Sequence, residues 1–375
     1  MLRQQLGERR RGAGRGVGQR LVEGVQGAGA ASPTSAEELV SPELINRAGW
    51  TWNWQTKLPV RTGEAVDQMM VFDDYLYVLT DTNVLFCLDR MNGAMRFVLP
   101  LSSRRLPVCS PIYRENKLWF MVGNEMVVVD PWAGTIAERH RFAQIGNTVE
   151  CGLAMNDSYI YLSGSDNRLH AFSRDGYWRA FMATADDDAP IVSVETTTER
   201  VLFAARSGSV VSMVYNQSLK DWQFDTTGSI QAEMVVRDGM VYVGSRDAKL
   251  YKLDARTGRS AWTSPFYAGE RLNASVVLGR TVVYLPTGTM GVYGIDQTSG
   301  QAIWQAPDGI GVLTETATQA FVLSRPGVLN VMDNTTGREL YSVNFSQVKR
   351  FAVMMDEPRL YVADKDGRVA AITVR

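Results

Sequence analysis

Asp186, Asp187 and Asp188, in "ATADDDAP" (183–190), are the sharpest acidic feature of the chain. A calcium ion takes roughly six to eight oxygens, and alternating spacing lets side chains of one loop converge on it. Three consecutive carboxylates cannot easily all face one ion, so the triplet reads as a solvated loop. Paired carboxylates also serve as general acid and base in hydrolases, but no aromatic subsite pattern accompanies these to support a glycosidase. The basic counterparts are Arg104 and Arg105 in "LSSRRLP", Arg271 in "FYAGERLN", and Lys349 and Arg350 in "NFSQVKR". On one shared rim they would hold an anionic ligand or an acidic partner segment; as separate loops they are ordinary solvated charge.

Other chemistry is thin. "TDTN" (80–83), "GSDN" (164–167) and "DKDG" (364–367) look like calcium loops, but they recur at matching places and read as turn chemistry. Two histidines, His140 and His170, leave little for histidine catalysis or zinc. The cysteines, Cys87, Cys109 and Cys151, are odd in number and widely spaced, which argues against a disulfide framework. No P-loop, GxSxG or HExxH occurs. No catalytic, cofactor-binding or metal-binding residue is expected. A net charge of -1 offers nothing to a phosphate backbone, so nucleic acid is excluded as a partner. No apolar run approaches the roughly 18 residues of a membrane span.

Whatever these loops do, a repeat must position them. The strand word "MVYV" at Met240 is echoed at Tyr75, Lys117, Tyr159, Arg200, Val282, Gln319 and Arg359, with successive starts 37 to 42 residues apart. Eight units of that length match propeller blades, not ankyrin or leucine-rich repeats. Counting 22 on from each start gives Phe97, Arg139, Phe181, Trp222, Trp262, Trp304 and Tyr341; six of these seven are aromatic in a chain that is 10% aromatic, so chance is a poor explanation. Four units share an Asp-x3-Gly-x3-aromatic frame: Asp89/Gly93/Phe97, Asp254/Gly258/Trp262, Asp296/Gly300/Trp304 and Asp333/Gly337/Tyr341. The Asp caps the turn, the Gly supplies its positive φ, and the aromatic opens the outer strand and fills the wedge between blades. These residues are framework.

Each unit reads as four strands, the first lining a central channel with small residues. Cys109 and Cys151 fall at equivalent inner places of adjacent blades, beyond the roughly 7 Å that a disulfide spans. The last unit stops before its outer strand, and "GWTWNWQTKLP" at the other end, with Trp54 at the aromatic place, supplies it. The expectation is an all-β, eight-bladed β-propeller of four-stranded antiparallel blades over residues 50–375, closed by its N-terminal strand. Loss of residues 50–58 should then destabilise the ring, whereas loss of 1–30 should not. Residues 32–49 read as a short helical lead-in: Ser41 as N-cap, Pro42 in the first turn and Gly49 as stop, with Ser35 and Glu38 as a second capping box. Residues 1–31 are charged at the start but lack an apolar export core of about 7–15 residues, and read as disordered or as an atypical targeting segment.

"VYVGS…KLYKLDARTGRSAW" (241–262) and "GVYGIDQTSGQAIW" (291–304) resemble the pyrroloquinoline-quinone-like (PQQ-like) propeller repeat, with "VLFCLDRMNGAMRF" and "VLNVMDNTTGRELY" as looser copies. The Trp-Asp strand ending of WD40 units is missing. Two classes carry this repeat. One is the quinoprotein dehydrogenase, which holds quinone and calcium over the channel; its long insertions and vicinal cysteine pair are not found here. The other is a non-enzymatic scaffold similar to the propeller lipoprotein of the outer-membrane β-barrel assembly machinery, whose length and compact blades match, although its lipid-bearing N-terminal cysteine does not. The resemblance implies a protein-binding scaffold of the bacterial envelope, most plausibly periplasmic, with envelope proteins as partners and no cofactor. A quinone- and calcium-binding protein, a small-ligand or carbohydrate binder, and a cytoplasmic location are the alternatives.

Overall fold

The computed structural model describes residues 38–375 except 147, 148, 150 and 151. Residues 1–31, with their disordered or targeting reading, therefore lie outside the described residues, as do Ser35 and Cys151.

Among the described residues the chain forms eight four-stranded antiparallel sheets. Blades 1 to 7 occupy residues 66–100, 112–141, 154–184, 191–225, 235–267, 277–306 and 309–344, and each runs inner, second, third and outer strand in sequence order. Blade 8 takes three strands from residues 350–373 and its outer strand, Thr51–Lys57, from the other end of the chain. That strand pairs antiparallel with Arg368–Thr373, from Thr51 opposite Thr373 to Lys57 opposite Arg368, with a one-residue bulge between Trp52 and Trp54. The ring is closed by backbone hydrogen bonds, as the truncated last repeat requires.

The second strands are apolar on both faces. Tyr75–Thr80 and Lys117–Val122, for example, are buried at every position after the first. Alternation is lost because each blade is covered on both sides by its neighbours, so strand sequences become continuous hydrophobic runs. The core is accordingly divided into layers between blades. Leu76 and Val78 of blade 1 pack on Tyr361 and Ala363 of blade 8, while Tyr77 and Leu79, one residue out of phase, pack on Leu118 and Phe120 of blade 2.

The helix Pro42–Arg47 begins with Pro42 after Ser41, whose carbonyl takes the Leu44 and Ile45 N–H groups; the Ser41 hydroxyl makes no capping bond. Ile45, Leu39, Val40 and Trp50 fill the layer between blades 7 and 8.

The repeated frame joins blade to blade. Asp254 accepts the N–H groups of Arg256 and Thr257, and Asp296 those of Thr298 and Ser299. Gly258 and Gly300 sit at φ +69° and +74°, and a Cβ at either would lie 2.6 Å from an indole ring, that of Trp222 or Trp262 respectively. Each ring belongs to the preceding blade. Its N–H also crosses the seam: Trp54 donates to the Arg90 carbonyl at 3.1 Å, Trp222 to Ala255 at 3.1 Å, Trp262 to Gln297 at 3.0 Å and Trp304 to the Asn334 side chain at 3.2 Å. Gly337 receives Trp304, and Gly93 receives Trp54. Phe97 reaches Gly134, so Asp130 and Gly134 form a fifth copy of the turn that the missing aromatic at Arg139 hides in sequence.

One strand departs from expectation. Trp262 does not open the outer strand of blade 5. That strand is Phe266–Tyr267, and Trp262 lies in the bend before it, still buried. Pro265 has no N–H for the ladder, which explains why pairing resumes only after it.

Candidate functional site

Four antiparallel strands per blade put the inter-blade loops and the second hairpin on one face, here called upper, and the first and third hairpins on the lower face. The charged loops singled out in sequence are therefore upper-face loops. Arg105 donates to the Gly63 carbonyl at 3.1 Å and lies 3.5 Å from Asp81. Arg104 is exposed; its backbone N–H reaches the Ser102 hydroxyl, and its carbonyl accepts from the Asn83 side chain at 2.9 Å. Arg350 donates to the Asp67 carbonyl at 2.8 Å and lies 3.6 Å from its carboxylate. Lys349 donates to the Ser346 carbonyl, and Arg271 is exposed.

The aspartate triplet splits into three roles. Asp186 pairs with Lys220 through both oxygens, at 2.9 and 3.0 Å. Asp187 accepts the Ala189 N–H, and Asp188 takes a left-handed φ of 56° while its carbonyl accepts from Asn167. Among the described residues, no hydrogen bond or ion pair joins the Arg104–Arg105, Asp186–Asp188, Arg271 and Lys349–Arg350 groups to one another, and no three His, Cys, Asp or Glu side chains gather as a metal set.

Three features of this face take roles that the sequence did not assign. Asn83, Asn124 and Asn167, at the second hairpins of blades 1, 2 and 3, each tie down the following inter-blade loop by a side-chain amide, to Arg104 and Leu106, Gly146 and Asp188 respectively. Only the recurrence of Asn in "TDTN" and "GSDN" signalled them. Glu270 accepts from Met290 N–H at 2.7 Å and from both Thr289 groups at 2.8 Å; burial works against its charge, yet these bonds hold its carboxyl down at about 2. His170 is fully buried and lies 3.1 Å from both Asp166 oxygens. Its Nδ1 has no hydrogen-bond partner, so no hydroxyl or thiol is set against it as a nucleophile would be.

The channel holds a carboxylate pair that the strand pattern did not mark. Glu195, on the inner strand of blade 4, and Glu233, ahead of that of blade 5, line a hollow of about 190 Å³ with Ser110 and Ser193. Burial, and then the charge of Glu233, push the Glu195 carboxyl up to about 7. Burial raises the Glu233 carboxyl too, although its side chain is the more exposed of the two. Burial and the same Glu233 push the Cys109 thiol up to about 11, away from the thiolate that nucleophilic or redox chemistry needs.

Blades locked ring-on-glycine around a channel define an eight-bladed propeller of PQQ-like repeats. The family model described as outer membrane protein assembly factor BamB matches residues 46–264, and again 165–309, and the chain belongs to that family. Among solved structures it is similar to BamB from Moraxella catarrhalis, at TM-score 0.65 and 13% identity over 86% of this chain and 99% of that one. It is equally similar to the computationally designed Ika8 protein, at TM-score 0.67 and 12% identity over 85% of this chain and 98% of that one. A designed ring fits as well as a natural one, so these likenesses speak for fold alone. A curated relative, the serine/threonine-protein kinase AfsK of Streptomyces coelicolor, is 33% identical over an alignment 113 residues long that covers 27% of this chain and 14% of the kinase. No described helix is long and apolar enough to cross a membrane.

Proposed function

We propose that the protein is a non-enzymatic, protein-binding scaffold of the bacterial cell envelope, periplasmic and engaged in the assembly of outer-membrane proteins. The family match across residues 46–309 carries this reading. The rim agrees with it. Arg105, Asp186, Lys349 and Arg350 fix loops in place, and a rigid face of that kind recognises another surface without reorganising. Arg104, Asp187, Asp188 and Arg271 are the rim groups left with free valence for a partner.

The test is cross-linking in cells at native expression, followed by mass spectrometry of what is attached. A small recurring set of envelope proteins, linked through loops of one face, is the expected result. Monomer alone would overturn the reading and turn attention to a small ligand at the channel mouth. Titration with pyrroloquinoline quinone and calcium, followed by the cofactor's absorbance, should show no saturable binding; stoichiometric binding would favour the dehydrogenase-like alternative.

A further inference from the structure

The third hairpins, between third and outer strands, stand at the outer edge of the lower face. They share one frame, in which the N–H of the first residue reaches the carbonyl five places on, as in Ser173 to Trp178, Val214 to Leu219 and Asp254 to Arg259. That frame makes positions comparable from blade to blade. At the third place of the turn, blades 1 and 2 carry Met91 and Trp132, 57% and 83% exposed. At the sixth place, blades 3 and 4 carry Trp178 and Leu219, 58% and 55% exposed. The same two places hold Arg256 and Arg259 in blade 5, Thr298 and Gln301 in blade 6, and Thr335 and Arg338 in blade 7. Blade 8 has no such hairpin, because its outer strand comes from the other end of the chain. Apolar tips therefore occupy one half of the lower rim.

Equivalent tips of a closed ring lie on one circle around its axis, so these four side chains share a plane. They do not merge into a patch, since exposed Asn92, Asp175 and Asn216 stand among them. A protein interface is built on a contiguous desolvated core. A bilayer instead takes up apolar side chains one at a time, with tryptophan at the level of the headgroups. A row of separate, coplanar tips fits the second surface.

Charge decides which bilayer. Nearer the channel on the same face, the acids of the first hairpins are answered within the protein: Arg174 pairs with Glu115 at 2.7 Å, Arg200 with Glu199 at 3.4 Å, and Arg114 with Asp157. The turn carboxylates of Asp89 and Asp130 each accept two backbone N–H groups. What stays exposed is of both signs, Asp74 and Asp175 against Arg96 and Arg179. Such a face complements a headgroup that itself carries both charges.

We propose that the lower rim of blades 1 to 4 rests on a zwitterionic phospholipid bilayer, with Met91, Trp132, Trp178 and Leu219 entering its surface. The proposal goes beyond the scaffold reading. It concerns the opposite face, and it leaves the upper loops turned toward a protein partner. Binding of this kind scales with the apolar area buried, so each tip contributes separately.

The test is flotation of the full chain with vesicles of phosphatidylcholine and phosphatidylethanolamine in equal parts. Neutral lipid is required because six arginines within residues 1–20 attract anionic lipid by themselves. The protein should float with the vesicles, and Trp132→Ala and Trp178→Ala should each weaken partitioning by about tenfold. Tyr267→Ala removes an equally exposed aromatic at the upper end of blade 5 and should change nothing. Thermal melts confirm that each variant is folded. Asn216→Trp, which puts a ring at the place in blade 4 that Trp132 holds in blade 2, should strengthen partitioning several-fold and decides the matter if the alanine variants do not fold. Failure to float, or flotation indifferent to both tryptophan substitutions, overturns the proposal. Equal loss in Tyr267→Ala overturns it too, since the whole surface would then be adhering. A photo-cross-linker at position 132 that captures a recurring protein in cells, while neutral vesicles stay unbound, would assign the rim to a protein instead.

Discussion

Two glycines of blade 5 separate what a residue does for the backbone from what it does for packing. Gly239 and Gly258 share a positive φ, +73° and +69°, but nothing lies within 4 Å of a Cβ at Gly239, whereas Gly258 faces the Trp222 ring. Gly239→Ala should cost about 1 kcal/mol, the left-handed penalty alone. Gly258→Ala adds overpacking of about 1–3 kcal/mol. Denaturant melts of the two variants check this, and equal losses would mean that the indole yields freely. Glu195 offers a second residue-scale test. Its folded carboxyl lies near 7, above the ordinary 4.5, so the stability it contributes is full below the unfolded value and is lost as pH rises through 7. Glu195→Gln should therefore stabilise the protein at pH 8, by the order of 1–3 kcal/mol, and change little at pH 4. Identical pH profiles for the two proteins would count against this account. Gly258 and the other frame glycines were legible in sequence as turn residues, from spacing alone. That Gly93, Gly258, Gly300 and Gly337 also receive a neighbour's indole was not, because these contacts join residues 33 to 39 apart through a seam that no local pattern describes. Glu195 was invisible for a related reason: an inner strand flanked by other inner strands desolvates a carboxylate that looks solvent-facing in its own alternation.

At the scale of the strand, Thr51–Lys57 has the largest consequence for the smallest length. It covers the Arg368–Thr373 edge, and Trp54 joins it to blade 1 through Gly93 and the Arg90 carbonyl. Trp54→Ala should cost about 3–5 kcal/mol, as for other buried aromatics. Trp132→Ala, at a hairpin tip where the ring is 83% exposed, should stay within about 0.5 kcal/mol. Calorimetric melts of the pair test whether the closing strand or merely tryptophan content matters. The strand was readable because the repeat, counted to its end, came up one strand short. The outer strand of blade 5 was misplaced because the aromatic register persists in three dimensions, with Trp262 still buried over Gly300, while Pro265 displaces the hydrogen-bonded segment. The periodic signal follows packing, and the ladder follows the backbone. Rim charges were legible only as residues on loops, since which loop answers which depends on the asparagine straps and on side-chain reach.

For the whole molecule, the distribution of locks predicts where the ring opens. Solenoid-like stacks are stabilised by interfaces between neighbouring units, and closure makes every seam share the strain. Five seams carry a ring over glycine, and the seam of blades 7 and 8 is filled by Trp50 against Tyr341 and Phe345. Between blades 2 and 3, Tyr177 takes the glycine place at φ 54° and stacks on His140 with centroids 4.4 Å apart. Between 3 and 4 no ring lies over a glycine: the Tyr161 hydroxyl donates to the Tyr215 carbonyl, the Tyr159 and Tyr215 rings meet at 6.2 Å, and mostly smaller side chains such as Ala171, Val211 and Met213 fill the layer. Local opening should therefore begin at the 3–4 seam, since regions with fewer packed contacts open at lower free energy. Native-state hydrogen exchange reads this directly if equivalent strands are compared, which cancels the difference between inner and outer positions. Amides of the third strands Arg168–Ser173 and Ser209–Val214, flanking the weak seam, should exchange faster than those of Val292–Asp296 and Val328–Asp333, which flank a locked one. Replacing Ser218, which holds the glycine place of the third hairpin of blade 4, by Gly would give the turn conformational freedom without supplying an indole, and should leave that order unchanged. Uniform protection in all four strands would show that closure, not the seam-by-seam locks, sets the stability of the ring.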